Sequence, residues 1–332
     1  MSMVPGIRTV SRASYMLVCF VSVLPASAAA HVKWFVPLTE HMPAGFQWYG
    51  WTDPAVLVWL AIAAGMIATS LCLDLRLPAP QLASPRLLHA LPWVLRIFTG
   101  VSLLMSAHNG VIIAPHYHWT GWSAQLLVVL ENAAGLLLMT SWVFAASLIL
   151  LLLYCGCALL VGAEIIEYLN VAGVAIYLLC LHYPTAAMRA RLQASALPLL
   201  RIMTGLALVT LGFTEKLLRP DYAETFVQTY MWNFMQTLGF TNYSDRLFVL
   251  SAGTMEVVFG IILVIGSTTR LNILVVSLFM LTSNLTFLVQ GNYHEALTEI
   301  IGHLPIIAIA IVCLFLGGGQ RWQLSALLRR QP

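Results

Sequence analysis

Long apolar runs constrain this chain more than any other feature of its sequence. A membrane-spanning helix needs about 20 consecutive, mostly apolar residues. Runs of this kind cover residues 54–73, 92–113, 122–140, 142–162, 165–182, 197–214, 247–266, 271–290 and 299–317. The sequence therefore predicts an all-α, polytopic transmembrane helical bundle with about nine spanning helices.

The composition excludes several classes of protein. Of the 332 residues, 60% are hydrophobic and only 9% are charged, whereas about a quarter of the residues of an ordinary soluble domain are charged. A soluble enzyme, a disordered chain and a nucleic-acid-binding protein are all excluded, and a formal net charge of +3 gives no attraction for nucleic acid. The expected partner of most of the surface is the lipid bilayer.

Residues 1–30 have the pattern of a secretory signal. Arg8 and Arg12 precede a short apolar stretch, and small residues then end the segment at Ala28 and Ala30. We predict a signal peptide that is cleaved after one of these two alanines, and the alternative is an uncleaved first anchor helix. In both cases residue 31 begins on the outer side of the membrane.

The distribution of charge predicts the orientation. With residue 31 outside, ten lysines and arginines fall on the cytoplasmic side and four on the outer side, as the positive-inside rule requires. Twelve of the thirteen acids lie on the outer side or in the outer half of a helix. We predict a bacterial inner-membrane protein with a periplasmic mature N-terminus, a cytoplasmic C-terminus and any polar site open to the periplasm.

The chain contains an internal repeat. Residues 95–103 match residues 200–208 at six of nine positions. In the same order, Glu131 then matches Glu256, and Glu164 matches Glu299. We predict two parallel four-helix repeats. The expected organisation is an outer segment, first spanning helix and cytoplasmic loop at 31–91, a first repeat at 92–182, a cytoplasmic linker at 183–196, a second repeat at 197–317 and a basic cytoplasmic tail at 318–332.

The second repeat resembles the DoxX/DoxD family of small four-helix membrane proteins. The resemblance rests on Leu200-Arg201-Ile202 with Gly205, on Gly212 with Glu215-Lys216-Leu217, on Glu256 with Gly260, and on Gly266 with Arg270. That family is similar in fold to helical-bundle subunits of thiosulfate:quinone oxidoreductase. The resemblance implies a quinone-proximal or anchoring subunit of a periplasm-facing redox system, with quinone as a cofactor. Periplasmic or membrane redox proteins would be its partners, and the chain itself would be a non-catalytic subunit of an oxidoreductase.

Two glutamates occupy costly positions within the apolar runs. Glu131 and Glu256 lie about two turns in from the outer ends of their helices, where a carboxylate must be paired, hydrated or protonated. They are candidate proton carriers or substrate contacts, and the alternative is a structural hydrogen bond. The repeat further predicts that Glu131 converges with Glu164, and Glu256 with Glu299, in two outward-opening cavities.

Glu295, Glu299 and His303 follow one another at intervals of four residues. On a helix this spacing puts them on one ridge, which favours cation binding or proton relay; a hydrated first turn of the helix is the alternative. The first repeat has Glu164 and Tyr168 in the places of Glu299 and His303. The second repeat is therefore the expected working copy.

Three cationic residues are candidate cofactor contacts. Arg96 and Arg201 lie near the inner ends of matched helices, where a long arginine can snorkel to the interface. They either anchor the helices or bind a head group or quinone. Lys216 occurs only in the second repeat, beside Glu215.

Four histidines are candidate metal ligands. His116 and His118 flank Tyr117, and in an extended segment their rings share a face and could chelate copper or zinc. His31 would offer both its amine and its ring if cleavage falls after Ala30, and His294 adds a fourth ring beside the ridge. These residues support a second hypothesis, a transporter or metal-binding protein of the periplasmic face. A third hypothesis is a purely structural assembly subunit.

An aromatic stripe marks the outer part of the second repeat. Tyr222, Phe226, Tyr230 and Phe234 recur every four residues, which predicts one amphipathic helix over 221–238. The helix either lies on the outer membrane surface or packs over the mouth of the bundle.

Overall fold

The computed structural model describes residues 31–36, 42–43, 45–77, 82, 84–319 and 321–329. The predicted signal at 1–30 lies outside these residues. The described part is helical, and an isolated bridge between Ile112 and Ala114 is its one β-type pairing. The predicted all-α class is therefore confirmed for this part of the chain.

The α-helices of the described residues are, in chain order, α1 (Pro54–Arg76), α2 (Pro85–His108), α3 (Trp122–Leu138), α4 (Val143–Val161), α5 (Leu169–Leu181), α6 (Ala186–Leu211), α7 (Pro220–Thr229), α8 (Phe234–Thr237), α9 (Asp245–Ile265), α10 (Thr269–Val289), α11 (Tyr293–Leu316) and α12 (Leu324–Leu328). Two 3-10 segments, Val32–Trp34 and Gly162–Tyr168, and one π-helical turn, Gly212–Leu217, complete the helical structure. The π-helical turn extends α6 toward the end of the bundle that the charge distribution predicts to be outer.

Seven helical stretches of the described residues are long and apolar enough to cross a membrane. This confirms a multi-pass membrane protein at the level of length and composition. The number differs from the predicted nine for two reasons. Helix α3 has only 17 residues, and α4 and α5 form one uninterrupted helical stretch, Val143–Leu181, through the 3-10 segment between them.

The stretch Val143–Leu181 is not one straight rod. A straight α-helix of its 39 residues would be about 58 Å long, roughly twice the thickness of the hydrocarbon core. Gly162 ends α4 at a φ of 63°, and α4 and α5 then pack against each other. The chain therefore reverses at the 3-10 segment.

The helices pack in a reciprocal pattern. Helix α3 packs on α2 and on α4, while α6 packs on α9 and α10 on α11. Extensive contacts between α5 and α6, and between α11 and α2, join the two halves of the bundle. The last helix of each expected repeat thus contacts the first helix of the other, which is the arrangement that two parallel repeats would make.

Matched glycines bring helix backbones together in both halves. A Cβ atom added at Gly100 would lie 2.9 Å from the carbonyl oxygen of Gly135, where α2 meets α3. A Cβ atom added at Gly205 would lie 2.7 Å from the carbonyl oxygen of Gly260, where α6 meets α9. Small residues allow this close approach of backbones in membrane bundles.

The aromatic stripe is divided between two helices. Helix α7 ends at Thr229, Met231 has a φ of 46°, and α8 begins only at Phe234. The prediction of one helix over 221–238 is therefore wrong in its second half. Phe226 is buried, with its ring 5.8 Å from that of Phe35, so this segment packs over the mouth of the bundle.

The arginines of the apolar helices hold the ends of neighbouring helices. Arg96 Nε donates to the carbonyl oxygen of Leu138 at 2.8 Å, and its guanidinium also donates to that of Thr140. Arg270 Nε donates to the carbonyl oxygen of Leu314 at 2.8 Å. A cation at a helix C-terminus satisfies carbonyl groups that the helix leaves unpaired. The observed contacts of Arg96 are those of an anchor.

Arg201 is fully buried beside the end of α9. Its guanidinium lies against Gly266, at a place where even a Cβ atom would overlap it. It donates to the carbonyl oxygen of Trp322 at 3.0 Å, which fixes the segment after α11. The observed partner of Arg201 is thus the protein backbone, at the end of the bundle opposite to the site described next.

Candidate functional site

A short N-terminal segment, residues 31–36, is buried at the end of the bundle that the charge distribution predicts to be outer. His31 and Val32 are 3% and 1% exposed. The backbone N–H of Val32 donates to Glu215 Oε2 at 2.7 Å. A carboxylate inside a helical bundle needs such a partner, so this segment and the second half of the chain stabilise each other.

Lys33 joins the same segment to the first half of the chain. Its Nζ lies 2.7 Å from Glu164 Oε1 and 2.8 Å from Glu167 Oε1. The Thr214 hydroxyl also donates to Glu167. Burial alone would lower the pKa of Lys33, but Glu167 and Glu215 outweigh it and raise that pKa above its usual value. Lys33 is therefore a charged ammonium at neutral pH.

The ring of His31 lies among four helical segments. Its centroid is 4.2 Å from that of Trp34, 5.5 Å from that of Tyr168 and 5.3 Å from that of His303. Tyr168 and His303 occupy the matched positions of the two expected repeats. Burial, together with the charges of Lys216 and Lys33, holds the pKa of His31 well below its usual value, so the imidazole is neutral.

Glu131 and Glu256 each have a local partner. Glu131 Oε1 accepts from the backbone N–H of Ile113 at 2.8 Å. Glu256 Oε1 lies 2.9 Å from Lys216 Nζ, and both side chains are buried. These contacts match the alternative that each carboxylate makes a structural hydrogen bond or ion pair. They also place Lys216 beside Glu256 as an ion-pair partner.

The other two acids that were expected to converge, Glu164 and Glu299, have partners of other kinds. Glu164 contacts Lys33, and Glu299 Oε1 accepts from the Ser283 hydroxyl at 2.6 Å. The structure gives no contact between Glu131 and Glu164 or between Glu256 and Glu299. The predicted convergence of two acids per repeat is therefore not observed among the described contacts. Each carboxylate instead contacts a lysine, a hydroxyl or a backbone N–H.

One buried acid was missed from the sequence. Glu167 is 2% exposed and contacts Lys33 together with Glu164. In a 3-10 turn, residues i and i+3 lie on the same face, and these two glutamates are three residues apart. That spacing was the available signal, because residues i and i+3 are neighbours on an α-helix as well.

The candidate metal ligands do not come together as side chains. His116 is buried, with Nε2 3.9 Å from Glu164 Oε1, whereas His118 and His294 are exposed. The rings of His116 and His118 therefore do not share a face. Burial lowers the pKa of His116 to about 3. Within the described residues, no group of three or more His, Cys, Asp or Glu side chains could hold a metal ion.

The ridge on α11 borders a cleft. Glu299 and His303 are both buried, with Glu299 Oε1 4.0 Å from His303 Nδ1. They form the polar end of a cavity of about 410 Å³ between α10 and α11. Its other lining residues are mostly apolar and comprise Ile273, Ser277, Met280, Leu281, Asn284, Ile300, Ile307, Ala310, Ile311 and Leu314.

A second, smaller cavity continues from this cleft toward the centre of the bundle. Its volume is about 60 Å³, and it shares Ser277, Met280 and His303 with the cleft. His31 and Glu167 line its other side. His303 therefore lies between the cleft and the buried charged residues around His31, which include Glu167.

Comparisons of this chain with models of protein families, with curated proteins and with solved structures gave no match. The functional inference therefore rests on the geometry of this site. The site provides an apolar cleft with an imidazole and a carboxylate at one end, and a buried network of glutamates, lysines and a histidine behind it.

Proposed function

We propose that this protein is a DoxX-like, quinone-proximal subunit of a redox system that faces the periplasm of a bacterial inner membrane. The observation that carries the proposal is the cleft between α10 and α11, which is lined mostly by apolar residues and has Glu299 and His303 at one end. A membrane quinone likewise has an apolar part and a polar part, namely a long apolar tail and a ring that bears two oxygens. Redox partner proteins would carry the electron chemistry.

The size and opening of the cleft suit such a ligand. Small-molecule sites are typically about 300–1,000 Å³, and this cavity has about 410 Å³. Two of its lining residues, Leu281 and Ile300, are 65% and 40% exposed on the outside of the bundle. Because lipid would cover that surface, a membrane-soluble ligand could enter from the bilayer without crossing water.

The polar end offers groups that a quinone ring can bind. Glu299 Oε2 and His303 Nδ1 are buried and have no hydrogen-bond partner among the described residues. An unsatisfied buried polar atom costs about 1–3 kcal/mol, so a ligand oxygen or hydroxyl that bonds to these atoms is favoured. A carboxyl and an imidazole are also suited to hold and release the protons of a quinol.

The proposal includes nine spanning helices, α1 to α6 and α9 to α11, arranged as one preceding helix and two parallel repeats. The reciprocal packing of α5 on α6 and of α11 on α2 supports it. The matched glycine contacts of α2 with α3 and of α6 with α9 support it as well. Residue 31 then lies on the periplasmic side and the C-terminus on the cytoplasmic side.

Cysteine labelling tests this topology. Asn242 and Thr185 are exposed near opposite ends of the bundle. In a chain whose native cysteines are replaced, Asn242→Cys should react with a membrane-impermeant maleimide in intact spheroplasts, and Thr185→Cys should react only after lysis. A cysteine at position 216 would not report on the topology, because Lys216 is buried and the reagent could not reach that position. Labelling in the reverse order would contradict the orientation.

Tryptophan fluorescence tests the ligand. The indole of Trp34 lies 4.9 Å from the ring of His303, so a quinone bound at the cleft should quench its emission. We expect saturable quenching when a short-tailed quinone is added to the purified full-length protein. Most of this signal should be absent from Trp34→Phe, which serves as the baseline for the other nine tryptophans.

Substitutions at the polar end should weaken the same signal. Loss of a hydrogen bond worth about 1.4 kcal/mol lowers affinity tenfold, and we expect about this loss for Glu299→Gln and for His303→Leu. Glu131→Gln is the matched control, because it removes an equivalent buried carboxylate from α3 and can still accept from Ile113. Equal quenching in all three variants would contradict a quinone site at the cleft.

A further inference from the structure

A second pair of unpartnered polar atoms faces each other on the inner side of the N-terminal segment. His31 Nδ1 lies 3.6 Å from Glu215 Oε1, which is too far for a hydrogen bond. Neither atom has a hydrogen-bond partner among the described residues. Both side chains are almost completely buried, at 3% and 0% exposure. Two buried ligand atoms thus lie close together without a hydrogen-bond partner among the described residues.

Acidic and basic side chains surround this pair. Four glutamates and two lysines make up the outer cluster, namely Glu164, Glu167, Glu215, Glu256, Lys33 and Lys216. Lys33 is held by Glu164 and Glu167, and Lys216 by Glu256. Glu215 is the acid of this cluster that accepts from the backbone N–H of Val32 and faces the His31 ring. Two buried polar atoms that lack partners favour a ligand that bonds to both.

We propose that His31 and Glu215 bind one Cu²⁺ ion, and that the α-amine of His31, released by cleavage after Ala30, is the third ligand. The amine and Nδ1 of one histidine close a six-membered chelate ring with a metal. Amine, imidazole and carboxylate form a ligand set that suits copper, which also binds such sites more tightly than the other divalent metals of its series. The three donors come from two residues, because His31 supplies both its amine and its ring.

The distance fits a shared metal ion. Nitrogen and oxygen ligands lie about 2.0–2.2 Å from a metal of this size, so two of them can be at most about 4.4 Å apart. The separation of 3.6 Å between His31 Nδ1 and Glu215 Oε1 falls within this limit.

Neighbouring contacts hold both ligands in place. The N–H of Val32 binds Glu215 Oε2, which leaves Oε1 turned toward His31. The imidazole is stacked on Trp34 at 4.2 Å between centroids. Contacts of this kind orient metal ligands and raise metal affinity. The site does not depend on the quinone proposal, because the cleft uses Glu299 and His303 instead.

Copper titration of the purified full-length protein tests the proposal. The mass of the mature chain should show that it begins at His31, and the protein should bind one Cu²⁺ with nitrogen couplings in its electron paramagnetic resonance spectrum. His31→Gln and Glu215→Gln should each lower the affinity at least about 100-fold. His182→Gln is the control, because His182 lies at the C-terminal end of α5, where its ring Nδ1 bonds to the Leu178 carbonyl, and it should leave copper binding unchanged.

A second variant isolates the amine. A chain processed so that two alanines remain before His31 keeps every side chain of the site but moves the amine away, and it should also lose copper affinity. This comparison tests the role of the His31 amine in copper binding even if Glu215→Gln does not fold. The proposal is overturned if the mature chain begins elsewhere, if no Cu²⁺ binds, or if binding survives in His31→Gln.

Discussion

Lys216→Met should lower the free energy of unfolding by about 3–5 kcal/mol, the usual cost of removing one partner of a buried ion pair. Lys216 Nζ lies 2.9 Å from Glu256 Oε1, and both side chains are buried. Without the lysine, the carboxylate of Glu256 would be left inside α9 with no cation beside it. It would then have to take up a proton or draw water into the bundle.

The measurement is unfolding of the purified protein in mixed micelles, followed by circular dichroism. The double variant Lys216→Met with Glu256→Gln should recover much of the loss, because it removes both charges together. Arg191→Met is the surface control, since Arg191 is exposed, and it should change stability by less than about 0.5 kcal/mol. If the double variant is as unstable as the single one, Lys216 acts through packing instead of charge.

Gly260→Ala should destabilise the contact between α6 and α9 by about 1–3 kcal/mol, as expected for overpacking. The added Cβ atom would lie 2.6 Å from the carbonyl oxygen of Gly205 and 2.8 Å from the backbone nitrogen of Val209. Both are backbone atoms, so neither can rotate out of the way. The two helices would have to separate along a contact that joins most of their length.

Gly65→Ala is the matched control for this prediction. Gly65 lies within α1, and an added Cβ atom there meets no atom within 4 Å. Because alanine is a better helix former than glycine by about 0.5–1 kcal/mol, this variant should be neutral or slightly more stable. Thermal unfolding of the two variants in the same detergent compares them directly. Equal midpoints would show that the helices do not meet closely at Gly260.

The sequence alone determined the class of fold and most helix positions. Residues 247–266 and 271–290 were expected to be helical, and α9 and α10 occupy Asp245–Ile265 and Thr269–Val289. This agreement has a simple cause. A long apolar run in a bilayer must satisfy its backbone hydrogen bonds internally, and a helix does so with local contacts only. The ridge of Glu299 and His303 follows for the same reason, since its spacing is a property of one helix.

Only the tertiary structure decided which groups meet. Glu256 could have faced Glu299 or Lys216, and the choice depends on how α9 is rotated and which helix lies beside it. Lys33 and Glu167 are 134 residues apart, so no local pattern predicts their contact. The sequence likewise placed His31 on the outer side but not in the interior. Its burial depends on Glu215, Tyr168 and His303, which come from both halves of the bundle and meet only when those halves pack.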